Sequence, residues 1–453
     1  MSTNSRTKYP QITELSVFLV SLQLNKTYVA MKYKSRIADK ILLLKLESSG
    51  AVLIEGPKWC GKTTTAEQHA RSILYMDDPE NMEQNMRLAG ISPRRLLTGD
   101  TPRLIDEWQI APQLWNTIRF TVDHKDGFGQ FILTGSAIPA DRSKMHHTGT
   151  GRFSWLRMRP MSLFESGEST GEVSLENLFT SPDQIDGQNH LNIDDIAYLI
   201  CRGGWPQALK MRKEIAVSIA GNYYDAVVNN DISRVDGVSR SPERAKRVMH
   251  SYARAQGSQT SLNSIRRDIL ANEVDTFDAD TLYSYIDALK KIFVIEDSPA
   301  WNPNLRSKSA IRTSDTRYFV DPSIATAALG AGPKDLINDL ETMGLLFETL
   351  CMRDLRVYAE ALGGEVYHYR DSSGLECDAV IHFRNGSYGL IEIKLGGDKL
   401  IGEGVDSLQK MAKVIDTTKM KSPSIKMVLT GTGKYAYKRE DGIYIVPIGC
   451  LKN

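Results

Sequence analysis

The feature that most restricts this chain is the octapeptide Gly56-Pro57-Lys58-Trp59-Cys60-Gly61-Lys62-Thr63, set directly behind the apolar run Ala51-Val52-Leu53-Ile54. A short apolar run bounded by a turn reads as a buried strand, and Thr64 to Ser72 carry a helix-forming pattern after it. Strand, glycine-rich turn and helix in that order build an anion cradle. Gly56 and Gly61 let the backbone turn so that successive N–H groups face one anion, and the helix N-terminus adds its dipole. Lys62 is spaced to reach the outer phosphates of a nucleoside triphosphate, and the Thr63 hydroxyl to take a position on Mg²⁺. The spacing therefore predicts ATP and Mg as ligands, held by Gly56, Pro57, Lys58, Trp59, Cys60, Gly61, Lys62, Thr63 and Thr64.

Three more strand signals follow, at Ile73–Met76, Arg103–Asp106 and Gln130–Thr134, separated by segments long enough for crossover helices. That alternation predicts an α/β domain with a parallel sheet. The third strand ends in Asp106-Glu107. Next to a phosphate loop, the first carboxylate suits Mg²⁺ and the second suits orienting an attacking water. Thr134-Gly135-Ser136 ends the fourth strand and offers hydroxyls for sensing the γ-phosphate, although an ordinary glycine turn would have the same composition.

Length and charge limit the rest. The 453 residues leave room for roughly three domains, and 41% hydrophobic residues supply more than one core. With 56 Lys plus Arg against 55 Asp plus Glu, no global field attracts a polyanion, so nucleic acid must meet a local patch. The five scattered cysteines lack CxxC spacing, which argues against a disulfide framework or zinc site and for the reducing cytoplasm. The apolar stretch Ile12 to Leu24 is too short and too polar to span a bilayer. We expect an N-terminal extension at 1–30, an ATPase core at 31–195 with a loop at 167–192, a helical middle region at 196–310 and a C-terminal α/β domain at 311–453.

In the middle region, helices are expected at Pro242–Gln256, Leu262–Leu270 and Ala279–Phe293, followed by strand-like Ile292–Ile295. Three helices and a β-wing make a winged helix, with Tyr283, Ser284, Asp287 and Lys290 outward on the third helix. Arg244, Lys246, Arg247, Arg254, Arg266 and Arg267 supply positive charge, whereas Glu273, Asp275, Asp278 and Asp280 oppose DNA at that helix. DNA or RNA contact and an oligomerisation module both remain open, with a homo-oligomer as the alternative partner.

In the last domain a long helix, Leu336 to Leu362, leads to strands around 376–383 and 387–394. Glu392 and Lys394 are two apart and share one face of a strand. A hairpin brings Asp378 beside them, and the helix offers Glu348. Carboxylates at Glu348, Asp378 and Glu392 could hold Mg²⁺ while Lys394 positions the water that attacks a phosphodiester, making Glu107, Glu392 and Lys394 the predicted catalytic residues.

Several separated motifs carry a family resemblance. Leu104–Gln109, Phe131–Ser136, Gly151-Arg152, Leu156–Glu165 and Gly203-Gly204-Trp205-Pro206 resemble the AAA-type ATPases of bacteria and archaea with a C-terminal domain of unknown function. The family often has Phe or Tyr where Trp205 stands. The resemblance runs from about Met31 to the C-terminus. It implies an arginine that neutralises transition-state charge, with Arg152 the candidate beside Arg142, Arg157 and Arg159. Glu348, Asp378 and Glu392-Ile393-Lys394 resemble the PD-(D/E)xK nuclease core, with Cys377 where that motif often has Pro. Together they imply an ATPase coupled to a Mg-dependent nuclease-like domain that acts on nucleic acid. The alternative is an ATPase switch whose nuclease-like domain is inactive and only binds protein or nucleic acid.

Overall fold

The computed structural model describes residues 33–139, 145, 148–181, 185–271, 277–302, 314–418 and 420–453. The expected 1–30 extension, Arg142, Glu273 and Asp275 lie outside these residues.

The helix Ile37–Leu46 leads into β1 (Ala51–Glu55) and the helix Lys62–His69. Then come β2 (Ser72–Tyr75), the helix Met82–Ile91, β3 (Arg103–Asp106), the helix Leu114–His124, β4 (Phe131–Gly135) and β5 (Phe153–Arg157). The strands are parallel in the order β2-β3-β4-β1-β5. Strand alternation sorts their side chains between two layers. Ala51, Leu53, Ile105, Phe131 and Leu133 pack with Leu114, Trp115 and Ile118 on one side. Val52, Ile54, Leu104 and Ile132 pack with Ala38, Leu42 and Ala66 on the other. All strand C-termini meet at one edge, the usual ligand edge of such a sheet.

The stretch 167–192 is more than the expected loop. It holds β6 (Val173–Ser174), the helix Leu175–Thr180 and β7 (Gly187–Gln188); β7 joins the seven-stranded C-terminal sheet described below, and β6 pairs separately with the last strand of the chain. The expected unit 31–195 is therefore corrected: its last part packs away from the ATPase sheet. Two-residue strands carry no alternation, so their pattern could not be read.

The middle region contains the helices Ile193–Arg202, Ser218–Ala226, Pro242–Arg254, Leu262–Leu270 and Ala279–Lys291, with a π-type stretch at Val227–Asp231. Antiparallel bridges Ile295–Phe319 and Ser298–Thr316 follow the last helix. Residues 316–320 thus pair back onto the middle region, which corrects the boundary expected at 310. On the third helix Leu282, Ile286 and Leu289 are buried. Three of its four expected outward residues are engaged: Ser284 accepts from Arg240, Asp287 lies 2.6 Å from Lys291, and Lys290 lies 2.8 Å from Asp297.

The C-terminal part runs through the helices Pro322–Leu329, Pro333–Asn338 and Leu340–Ala361 to β8 (Gly364–Arg370), β9 (Glu376–Phe383) and β10 (Tyr388–Lys394). The helix Asp398–Val414, β11 (Ile425–Thr430), β12 (Tyr435–Lys438), β13 (Tyr444–Pro447) and β14 (Leu451–Lys452) complete it. The expected single helix Leu336–Leu362 is two helices, because Asp339 leaves helical geometry and caps the second through the Thr342 N–H. The seven-stranded sheet has the order β7-β12-β13-β11-β10-β9-β8, and β6 pairs with β14. The helix Leu340–Ala361 covers one face through Leu346, Phe347 and Leu350; the helix Asp398–Val414 covers the other through Val405, Leu408 and Met411.

One buried polar hub joins the regions. Arg353, on the helix Leu340–Ala361, lies 2.9 Å from Asp321 and 2.7 Å from Asp354. Asp321 also accepts the Gly204 N–H, and Asp354 accepts the Leu163 N–H. Truncating one member of such a group strands the remaining charges in apolar surroundings. Arg353→Met should lower unfolding free energy by about 3–5 kcal/mol, read by urea denaturation. A change near zero would show that Asp321 and Asp354 find other partners.

Candidate functional site

At the strand-end edge of the parallel sheet, β1 runs into the phosphate loop and the helix Lys62–His69. Gly61 has φ +101 and Trp59 φ 65, positive-φ turns of the kind that build a concave backbone cradle. A Cβ on Gly56 would overlap the Met158 carbonyl oxygen, so glycine is required there for the loop to lie against the chain leaving β5. Lys62 is buried and donates to the Pro57 carbonyl at 2.8 Å. Thr64 is exposed on the first helical turn.

The carboxylate pair stands where the spacing placed it. Asp106 Oδ1 accepts from Thr63 Oγ1 at 2.8 Å and from the Thr134 hydroxyl. Burial pushes the Asp106 carboxyl up; the two hydroxyls pull the other way, and the Glu107 charge adds to the rise. Thr63 and Asp106 thus form the hydroxyl-and-carboxylate pair that suits one Mg²⁺ ion beside a phosphate loop. Thr134 is fully buried behind that carboxylate, so its hydroxyl serves Asp106 directly.

Glu107 sits at φ 51, in the left-handed region that a non-glycine residue rarely adopts. Its Oε2 accepts from Ser136 Oγ at 3.0 Å and from the Gln109 amide. A Cβ on Gly135 would stand 3.0 Å from Trp108 Nε1, which is why the Trp108–Gln109 turn can close over β4. The hydroxyls of Thr134-Gly135-Ser136 therefore each orient one of the two carboxylates.

Arg36 was absent from the sequence expectations. Its buried guanidinium donates to the Cys60 carbonyl at 2.7 Å, to the Arg159 carbonyl at 2.9 Å and to Glu165. It buttresses the loop from behind, and nothing in the local sequence around it signals this.

The arginines separate. Arg152 precedes β5, at the end of the sheet opposite the phosphate loop, and pairs with Asp123 at 2.6 Å. The resemblance allows such an arginine to serve the nucleotide of its own chain or of a neighbour's, and this placement keeps Arg152 away from the loop of its own chain. Arg157 lies over the Phe293 ring, and Arg159 is bound by Glu296 and Glu360. Burial opposes the Glu296 charge, yet Arg159 and Arg356 hold its carboxyl well below the usual carboxylate range.

The C-terminal quartet is only partly assembled as predicted. Lys394 Nζ lies 2.7 Å from Glu392 and 3.2 Å from Asp378, and Ser407 donates to Glu392 at 2.9 Å. Asp378 also accepts the Ile393 N–H. Glu348 instead accepts from the Tyr318 hydroxyl and sits under Gly257, both of the middle region. Burial and Asp378 push the Glu348 carboxyl well above its ordinary value; the same causes push Glu392 up to about 8. Burial works against the Lys394 charge, but Asp378 and Glu392 hold its ammonium above the ordinary lysine value. Among the described residues no group of three or more His, Cys, Asp or Glu is arranged to hold a metal ion. The expected metal set Glu348, Asp378 and Glu392 is corrected accordingly: the lysine ammonium fills the place between two of its members, and a tyrosine occupies the third. The group present does not fit Mg²⁺.

Comparison with known proteins divides the chain in three. An AAA domain family matches residues 48–166. Residues 193–335 match the domain of unknown function DUF8612, and residues 343–451 match the domain of unknown function DUF4143. No curated protein matches the chain. Among solved structures, the Walker-type ATPase PABY2304 of Pyrococcus abyssi is similar at 13% identity and TM-score 0.41, covering 65% of this chain and 96% of that one. A structure of Drosophila ORC bound to DNA is similar at 14% identity and TM-score 0.22, covering 73% and 96%. The AAA match, together with the parallel sheet and its phosphate loop, makes residues 48–166 an AAA-type P-loop ATPase core.

Because Gly56 has no room for a Cβ beside the Met158 carbonyl, Gly56→Ala should displace the loop. Its affinity for ATP should fall by about tenfold or more in titration calorimetry, with the circular dichroism of the folded chain retained. Unaltered affinity would mean that the loop adjusts without losing its cradle.

Proposed function

We propose that the chain is an ATP-hydrolysing switch of the AAA type whose nucleotide site drives the middle and C-terminal regions, with the nuclease-like domain serving as a binding module. The observation that carries the reading is the pair of oriented carboxylates, Asp106 held by Thr63 and Thr134, Glu107 held by Ser136 and Gln109. The loop N–H groups and Lys62 bind and orient the phosphates. Mg²⁺, when bound at Thr63 and Asp106, neutralises charge on the phosphate oxygens. Glu107, fixed by two donors, orients the attacking water and accepts its proton. The tie of Arg159 to Glu296 and Glu360 supports transmission, since one AAA-core residue grips both other regions.

Lys62→Ala should abolish ATP binding. Glu107→Gln should bind ATP normally and hydrolyse it about 100-fold or more slowly, in a phosphate-release assay. Turnover at the wild-type rate would remove Glu107 from the reaction.

The middle region supports a winged-helix reading through its three helices and the following antiparallel pair, and with it contact to DNA or RNA. The C-terminal order helix–strand–strand–strand–helix–strand, with Asp378, Glu392 and Lys394 adjacent, supports kinship with the PD-(D/E)xK core. The lysine bound to both carboxylates favours binding over cutting. Purified protein with ATP and Mg²⁺ or Mn²⁺ should leave single- and double-stranded DNA intact. Cleavage that disappears in both Glu392→Ala and Lys394→Ala would establish the nuclease instead.

A further inference from the structure

The wall facing the phosphate loop belongs to the middle region. Pro206, of the Gly-Gly-Trp-Pro turn, lies 3.6 Å from where a Gly61 Cβ would stand. The Tyr223 ring stands between Trp205, at 4.3 Å between centroids, and Trp59 of the loop, at 5.7 Å. The polar end of this wall is Asp231, whose Oδ1 lies 2.7 Å from Lys58 Nζ. Two neighbouring loop residues, Lys58 and Trp59, are therefore gripped by one short stretch of the middle region. That stretch, Ser218–Ala226 continuing into the π-type turn Val227–Asp231, carries an irregularity often found at functional sites. The two ends of the ion pair differ in exposure: the Lys58 side chain is 46% exposed and that of Asp231 11%.

We propose that Asp231 is a positioning residue that acts through Lys58 to set the preference between ATP and ADP, and that it passes the presence of the γ-phosphate to the middle region. This rests on the ATPase reading and adds a residue from outside the AAA core to its nucleotide site. Lys58 stems from the loop that wraps the phosphates, so its ammonium has two competing acceptors. A carboxylate carries one negative charge, whereas a terminal phosphate carries nearly two. The γ-phosphate of ATP draws the ammonium from Asp231, while ADP leaves it in place. Asp231, left beside an anion without its cation, is then repelled, and the turn that holds it and Tyr223 loosens from Trp59. Linkage makes the effect mutual: whatever Asp231 costs ATP affinity, ATP costs the Lys58–Asp231 tie.

The test is a double-mutant cycle on the full chain in the Glu107→Gln background, which limits hydrolysis during titration. Affinities for Mg²⁺-ATP and Mg²⁺-ADP are measured by calorimetry with Asp231→Asn, Lys58→Gln and both. Asp231→Asn should tighten ATP by about fivefold or more and leave ADP within about twofold, and the gain should vanish when Lys58 is already Gln. Equal tightening of both nucleotides, no tightening, or a gain that survives Lys58→Gln overturns the inference. Hydrogen exchange supplies a second readout. Amides of 218–231 should exchange faster with ATP than with ADP, and equal rates overturn the transmission step. Failure of the Glu107→Gln protein to bind any nucleotide would overturn the ATPase reading as well. Normal ATP binding without a selective Asp231 effect would remove this inference alone.

Discussion

The arrangement of this molecule depends on one guanidinium. Arg353 is fully buried in the helix Leu340–Ala361, and its two carboxylate partners each reach a different segment. Asp321 fixes the Gly204 N–H and, through Ser323, the Trp205 indole; Asp354 fixes the Leu163 N–H. A buried cation between two anions is expensive to desolvate and stays folded only if every lone pair finds a donor. Here those donors are backbone N–H groups and hydroxyls from distant segments, so satisfying the hub also fixes the relative placement of three sequence regions. Gly204 cannot be replaced within this geometry, because a Cβ there would overlap the Met161 carbonyl oxygen.

From that hub the constraint runs to the nucleotide site. Met161 donates to Gly204 at 2.6 Å, and Ser162 and Glu165 form a reciprocal helix cap. Glu165 holds Arg36, whose guanidinium supports the Cys60 carbonyl in the phosphate loop. Trp205, fixed by Ser323, packs at a tilt against Tyr223, which in turn meets Trp59 edge to face. The loop is therefore held from behind by one branch and faced by the other. A shift of the hub by a fraction of an ångström would reach both sides of the phosphate loop, since packed interiors transmit displacement instead of absorbing it.

The parallel sheet, the loop and its carboxylates were legible because their signals are local. An apolar run of four, glycines at fixed spacing and two carboxylates at a strand end need no knowledge of the rest of the chain. The alternation of Glu392 and Lys394 was legible for the same reason, and both do face the helix Asp398–Val414, where a Cβ on Gly404 would stand 3.4 Å from each side chain. What escaped was set by distant partners. Arg36 and Asp231 gain their roles across 24 and 173 residues, and β6 and β7 are strands only because β14 and β12 offer open edges. Arg152 misled because a Gly-Arg pair gives its composition without saying at which end of the sheet it falls. The metal set misled in the opposite way: the residues do converge, but Tyr318 comes from a segment whose pairing with Ile295 the local pattern assigned to the wrong domain.

The C-terminal cluster shows how charge count decides chemistry. Glu348, Asp378 and Glu392 surround a single positive charge, Lys394, in a largely desolvated place. Three ionised carboxylates would need more than one cation, so burial and mutual repulsion drive Glu348 and Glu392 toward their protonated forms. The Tyr318 hydroxyl donates to Glu348 and the Ser407 hydroxyl to Glu392, so each of these carboxylates already has a hydroxyl partner. Those two groups come from different regions, Ser407 from the helix that covers the sheet and Tyr318 from the middle region. The contact between Tyr318 and Glu348 is thus also a contact between regions. Tyr318 lies three residues before Asp321, so the residue that bonds Glu348 and the residue that anchors the buried hub belong to one short segment.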